Sequence, residues 1–144
     1  MSVPSESYAP PVVEVEVGTR LEAAEYRGLR AAVGWSTPPA DDAALQAALD
    51  RTWNVVAREA GALVGMGRLL DDGALYATVW DMIVVPEAQR RGIGAAILRH
   101  LLERAEDRTI VALVATAAAR DLYERFGFRD EDGGGTGMFL RPSR

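Results

Sequence analysis

The sequence predicts an α/β protein, a mixed sheet with helices on both faces, and three observations carry that expectation. Residues 53–58, 62–70 and 75–85 are runs rich in β-branched and aromatic side chains, separated only by the turn signals Ala60-Gly61 and Asp71-Asp72-Gly73. After Gly92 the apolar spacing switches to helical: Ile93, Ile97, Leu101 and Ala105 form one row and Leu98 and Leu102 a neighbouring one, with Arg99, Glu103, Arg104 and Glu106 turned away. A short apolar run, 110–114, and another helical stretch, 117–126, follow.

Taken in order, residues 1–11 are polar with several prolines and are expected to form a flexible tail before one domain spanning 12–144. Val12, Val13, Val15 and Val17 alternate with Glu14 and Glu16, the period of a strand at a sheet edge. Thr19 and Glu22 have capping-box spacing ahead of a helix over 21–33, which Gly34 stops. The segment from Trp35 to Pro39 cannot continue a helix, and Asp41 or Asp42 starts a second one running to about Arg51. The three β-prone runs then make successive antiparallel strands. The run 110–114, wholly apolar, reads as a strand buried on both faces. The helix over 117–126 stops at Gly127, and residues 128–131 and 138–140 are expected to form a last hairpin around Gly133-Gly134-Gly135. The resulting order is β-α-α-β-β-β-α-β-α-β-β.

Composition excludes several chemistries. With 144 residues, 49% hydrophobic and 26% charged, the chain can bury one sizeable core. A net charge of −5 disfavours a general nucleic-acid binder. There is no Cys, so disulfides, Cys-based zinc sites and a thiol nucleophile are absent together. The single His, His100, removes most His-cluster metal chemistry and most Ser-His-Asp arrangements, and no metal is expected. All sixteen basic residues are Arg, which rules out a Walker-type phosphate loop and a Schiff base. No apolar run approaches a membrane span, and the first residues lack the pattern of a signal peptide, so the expected compartment is the cytoplasm, with no membrane partner.

The most specific feature is Pro86-Glu87-Ala88-Gln89-Arg90-Arg91-Gly92-Ile93-Gly94-Ala95, where a long strand passes through a loop into a helix. Amides without internal partners and a positive dipole end make a helix start suited to an anion. Gly92 and Gly94 remove side chains where a phosphate would approach the backbone, and Arg90 and Arg91 concentrate positive charge there. A dinucleotide-binding fingerprint does not fit, because Ile97 stands where its third glycine would be.

Gln89-x-x-Gly92-x-Gly94, after the strand residues Asp81-Met82-Ile83-Val84-Val85, resembles the acetyl-CoA-binding motif of the GNAT N-acetyltransferase superfamily, whose pattern is Gln/Arg-x-x-Gly-x-Gly/Ala. Leu122-Tyr123-Glu124-Arg125-Phe126-Gly127-Phe128 is similar to that family's helix-end segment, and the element order matches over about residues 12–141. The resemblance implies the family's acyl-CoA N-acyltransferase fold. It implies that backbone amides at Arg91, Gly92, Ile93, Gly94 and Ala95 hold the coenzyme pyrophosphate with Gln89, Arg90 and Arg91 around it. The strand backbone at Met82, Ile83 and Val84 would pair with the pantetheine arm, where that strand splays from the one over 110–115. Thr116 stands where many members carry Asn, which puts that coenzyme contact in doubt.

Without a Cys, direct attack of an amine on the bound thioester is the simplest route. Tyr123 matches the family position of the acid that protonates coenzyme sulfur, the alternative being an aromatic that only packs its helix. Asp81 is the candidate base, acting through water or attracting a cationic amine; the alternative is a structural acid. His100 is too far along its helix for either task. Trp35, Tyr26, Tyr76 and Trp80 are candidates for an apolar amine pocket. The expected acceptor is a small-molecule amine, for which the acidic surface mildly favours a cation. Alternatives are a non-catalytic acyl-CoA-binding or sensor domain, a protein N-terminal or lysine acetyltransferase, and an O-acyltransferase. A homodimer is left open.

Overall fold

The computed structural model describes residues 12–130, 135 and 137–142. It comprises two compact units, Met1–Val114 and Ala115–Arg144. The expected tail, 1–11, lies outside the described residues.

In the first unit the order is β1 (Val13–Val17), α1 (Ala23–Ala32), α2 (Asp42–Asp50), β2 (Trp53–Glu59), β3 (Ala62–Asp71), β4 (Tyr76–Val84), a single 3-10 turn at Pro86–Ala88, α3 (Ile93–Arg104) and β5 (Ile110–Leu113). The strands form one mixed sheet in sequential order, antiparallel from β1 to β4, with β5 parallel to β4. Ala60 and Gly61 both take positive φ, +50° and +79°, which closes the β2–β3 hairpin with a twist matching its strands. Asp72 accepts three backbone amides, those of Ala74, Leu75 and Tyr76, and so fixes the β3–β4 turn.

Asp41 caps α2 as expected, its carboxylate accepting from the Ala44 amide at 2.8 Å. The capping box expected at α1 does not form. Thr19 turns to Glu16 and Glu22 pairs with Arg20, while the Ala23 amide donates to Gln46 Oε1 of α2 at 2.9 Å. Gln46 also donates to the Leu21 carbonyl. The cap is thus supplied from a residue distant in sequence, a partner no local pattern reveals.

Helices cover both faces of the sheet. On one face Gly65 and Gly67 let α3 lie close: a methyl group at Gly67 would stand 2.6 Å from Met82 Sδ and 2.8 Å from both Ile97 Cγ2 and Leu101 Cδ1. On the other, Arg68 lies 5.4 Å from the Tyr26 ring of α1 and reaches the Ala48 carbonyl of α2. Val56, Met66 and Ile83 are in register and buried on that second face. Gly67→Ala is therefore expected to lower stability by about 1–3 kcal/mol through overpacking, read by urea unfolding. A variant as stable as wild type would show that α3 slides freely on β3.

Two features of β4 matter for function. Met66 pairs with Ile83 but Arg68 with Trp80, so Gly67 faces both Asp81 and Met82 in a bulge, and Asp81 takes the left-handed φ of +52°. The parallel ladder with β5 runs only from Tyr76↔Ile110 to Val79↔Leu113. Beyond it, β4 from Trp80 to Val84 has no paired strand on that side among the described residues.

The reading of β5 as buried on both faces is corrected: it ends the strand order, and Ile110 is 53% exposed. An apolar run of four residues does not encode how many of its sides are covered.

In the second unit α4 spans Arg120–Arg125, three residues shorter at its start than expected, after a turn closed by the Ala119 amide on the Thr116 carbonyl. Gly127, at φ +95°, ends it, and the Phe128 amide returns to the Tyr123 carbonyl. The expected last hairpin is also corrected in its described parts: residues 128–130 and 138–140 are not strands. Short two-stranded arms are marginal on their own, and Asp130 pairs instead with Arg120 at 2.7 Å.

Candidate active site

The site begins where β4 leaves the sheet. After Val84 the 3-10 turn at Pro86–Ala88 leads into Gln89, and then Arg90 and Gly92 adopt φ of +62° and +79° on either side of Arg91. Gly92 is the N-cap of α3 and offers no side-chain acceptor; no acidic residue stands in the first turn. The first helical bond runs from the Ala96 amide to the Gly92 carbonyl at 3.0 Å, so the amides of Ile93, Gly94 and Ala95 have no partner inside the helix. Three convergent donors at a positive dipole end can receive an anion.

The polar side chains expected around that anion are differently disposed. Gln89 donates to the Val84 carbonyl at 2.9 Å, which braces the turn against β4. Arg91 is held by Glu59 at the end of β2. Arg90 is exposed and makes no ion pair among the described residues. Met82, Ile83 and Val84 lie between the bulge and the turn, on the length of β4 that β5 leaves unpaired. An extended chain could add there as a further strand.

The face of β4 under α1 and α2 carries a charged cluster. Asp81 accepts from Arg30 Nη1 at 2.8 Å, from Arg68 Nη1 at 2.9 Å and from the Tyr26 hydroxyl at 2.9 Å. The side chains of Arg30 and Arg68 are only 15% and 11% exposed. Burial, and then the Asp81 charge, push the Tyr26 phenol above its usual range. Asp81 therefore already serves three donors, which fits its alternative reading as a structural acid better than that of a free base.

The four aromatics have different surroundings. Tyr26 is buried with its hydroxyl committed to Asp81. Trp35 lies 5.4 Å from the Arg30 guanidinium carbon, and Trp80 donates its indole N–H to Thr78 Oγ1 at 2.8 Å. Tyr76 lines a cleft of about 600 Å³ whose walls include Arg51, Thr52, Arg68 and Thr78. The cleft is not purely apolar, since Arg68 of β3 and Arg51 stand in its wall.

In the second unit Tyr123 has a buried ring packed edge-on against Phe128, with centroids 6.0 Å apart at 71°. The Tyr123 hydroxyl makes no side-chain hydrogen bond among the described residues. Burial pushes this phenol above its usual range. Thr116 is exposed at the turn before α4. His100, in the middle of α3, lies beside Glu103 at 3.3 Å.

Sequence reasoning missed Arg30, Arg68 and Glu59. Arg68 carried a usable signal, a charge inside an otherwise apolar strand; Arg30 and Glu59 are set by partners 51 and 32 positions away.

A family model described as the acetyltransferase (GNAT) family matches residues 19–128. The chain is similar to GCN5-related N-acetyltransferase 2, chloroplastic, of Arabidopsis thaliana, 38% identical over 82 residues that make up 56% of this chain and 32% of the relative. It is similar also to histone acetyltransferase TAP1 of Glycine max, 31% identical over 125 residues, 77% of this chain and 53% of the relative. The chain thus spans between about a third and about half of these curated relatives. Among solved structures it resembles a probable acetyltransferase of unknown function from methicillin-resistant Staphylococcus aureus, with a TM-score of 0.80, 26% identity, and coverage of 91% of this chain and 100% of that one.

Proposed function

The chain belongs to the acetyltransferase (GNAT) family, and from that premise we propose that it moves an acetyl group from acetyl-CoA to the primary amine of a small molecule, with both bound together. The observation that carries this reading is the conjunction of the uncapped α3 start with the unpaired length of β4 leading into it. The amides of Ile93, Gly94 and Ala95 suit the diphosphate, Arg90 adds charge beside them, and the backbone of Met82, Ile83 and Val84 suits the amide-bearing pantetheine arm. Acetyl-CoA, when bound, supplies the activated acyl group.

The chain has no thiol to take up the acetyl group, so the acceptor amine attacks directly. Asp81 keeps Arg30, Arg68 and Tyr26 in place and is a positioning residue; the ammonium proton leaves through water. Tyr123, carried over from the family's motif, hydrogen-bonds and protonates the sulfur as negative charge develops on it. A second reading, in which the acceptor is a protein amine, is favoured by the name of the Glycine max relative.

Free-thiol release from acetyl-CoA in the presence of small amines and of lysine-containing peptides separates the two readings, and the enzyme itself contributes no thiol background. Calorimetry with coenzyme A tests the coenzyme site itself; no heat at millimolar concentration would sink both readings. Gly92→Ala gives a sharper check, because a methyl group there meets no atom within 4 Å and only the backbone is strained. The left-handed conformation costs alanine about 1–2 kcal/mol; the free loop escapes that strain by relaxing, and coenzyme A, which needs the turn restored, should bind up to roughly tenfold more weakly. Pantetheine, which lacks the diphosphate, should bind the two proteins equally.

A further inference from the structure

The cluster beneath the β4 bulge is not electrically balanced. Arg30 and Arg68, both largely buried, share the one carboxylate of Asp81. The remaining hydrogen bonds of Arg30 go to the Ser36 carbonyl, and those of Arg68 to Thr52 Oγ1 and, at 3.5 Å, the Ala48 carbonyl; the rings of Tyr26 and Trp35 lie beside Arg30 and that of Tyr26 beside Arg68, without a full charge among them. These are neutral acceptors, so one positive charge is left over in a poorly solvated place, where an uncompensated charge is costly.

Arg68 also forms part of the wall of the cleft that holds Thr52, Tyr76, Thr78 and Arg51. The acids on that wall do not cancel the surplus. Asp71 is bound by Arg108 through both oxygens, which with the Gly73 amide lowers its pKa to about 2. Asp72 is bound by the three backbone amides of the β3–β4 turn, and the exposed Arg51 lines the same cleft. The guanidinium that lines the cleft is thus the same one that touches Asp81 at the bulge, where β4 parts from β5.

We propose that the acceptor is a small amine bearing a carboxylate, of the amino-acid class, whose carboxylate is received by the Arg68 guanidinium while its amine is presented at the β4 bulge. This rests on the acetyl-transfer reading above and reverses the lean towards cationic amines that the net acidic charge suggested. A carboxylate matches a surplus of one charge; a phosphate monoester, at close to two negative charges near neutral pH, would overshoot it. The guanidinium has five N–H groups, more than the three that reach Asp81, Thr52 and Ala48, and those left over suit a planar carboxylate.

The test is thiol release from acetyl-CoA by the wild-type protein with α-, β- and γ-amino acids, each matched to its amide, and with simple diamines. The carboxylate members should show kcat/KM higher than their amides by about tenfold or more, the factor that one charge-assisted hydrogen bond contributes. Arg68→Gln should bring that ratio to near unity, the ratio being read within the variant so that any general loss of rate cancels. Should that variant not fold, competition in the wild type decides: propionate and succinate should compete with the acceptor, and their amides should not. Equal use of acids and amides, preference for diamines, or no use of any carboxylate member overturns the proposal. Coenzyme A binding by calorimetry, measured on the same protein, reports separately whether the reading beneath it stands.

Discussion

Replacing Asp81 with alanine should lower the melting temperature by about 10–15 °C. The substitution leaves Arg30 and Arg68 with no carboxylate and deprives the Tyr26 hydroxyl of its acceptor. Removing one member of a buried charge group costs about 3–5 kcal/mol, chiefly because the partners stay behind unpaired. A backbone contribution adds to this, since position 81 sits at φ +52°, a region alanine disfavours. The two parts can be separated. Asp81→Asn keeps a residue that tolerates the left-handed region and retains an acceptor, while Asp81→Gly removes the backbone strain but every acceptor with it. If charge dominates, glycine melts nearly as low as alanine and asparagine falls between them and wild type. If strain dominates, glycine is the most stable of the three. A melting temperature for Asp81→Ala within about two degrees of wild type would mean the cluster contributes little to the fold.

That cluster also marks where the sequence stops being legible. Elements set by neighbouring residues were readable: the Ala60-Gly61 hairpin, the Asp41 cap, the stop at Gly127 and the loop from Pro86 into α3 all depend on local backbone preferences. The bulge at Asp81 and Met82 was not, because β4 is a continuous β-prone run, and an extra residue in one strand shows only against its partner's register. The Thr19–Glu22 pattern was present and still failed, since Gln46 from α2 reached the Ala23 amide instead. The same limit hid the charge on the sheet face under α1 and α2. Trp35, Tyr26, Tyr76 and Trp80 are legible as large aromatics, but whether they line an apolar pocket depends on where Arg30 and Arg68 direct their charge. At the start of α3, the missing cap was legible from Gly92 and Gly94, whereas the hold of Glu59 on Arg91 was not.

Tyr123→Phe should leave the melting temperature and the affinity for acetyl-CoA nearly unchanged while kcat falls by roughly a hundredfold, the low end of what a positioned general acid contributes. The ring that packs against Phe128 is kept and only the hydroxyl is lost, and that hydroxyl bonds to no protein group among the described residues. The low end is expected for a definite reason. Burial raises the phenol above its ordinary value near 10, so it holds its proton more firmly than a thiol does and donates as charge appears on sulfur without being a strong acid. The direction of that shift also sets the pH profile. An acid acts while protonated, and raising its pKa extends the protonated range upward, so Tyr123 imposes no decline in rate below about pH 10. Between pH 6 and 9 the rate should instead climb as the acceptor ammonium loses its proton, and the phenylalanine variant should trace the same curve at a lower height. A kcat within twofold of wild type would remove Tyr123 from the chemistry. A curve of different shape would show that the group lost with the hydroxyl was titrating, and that burial does not keep it protonated.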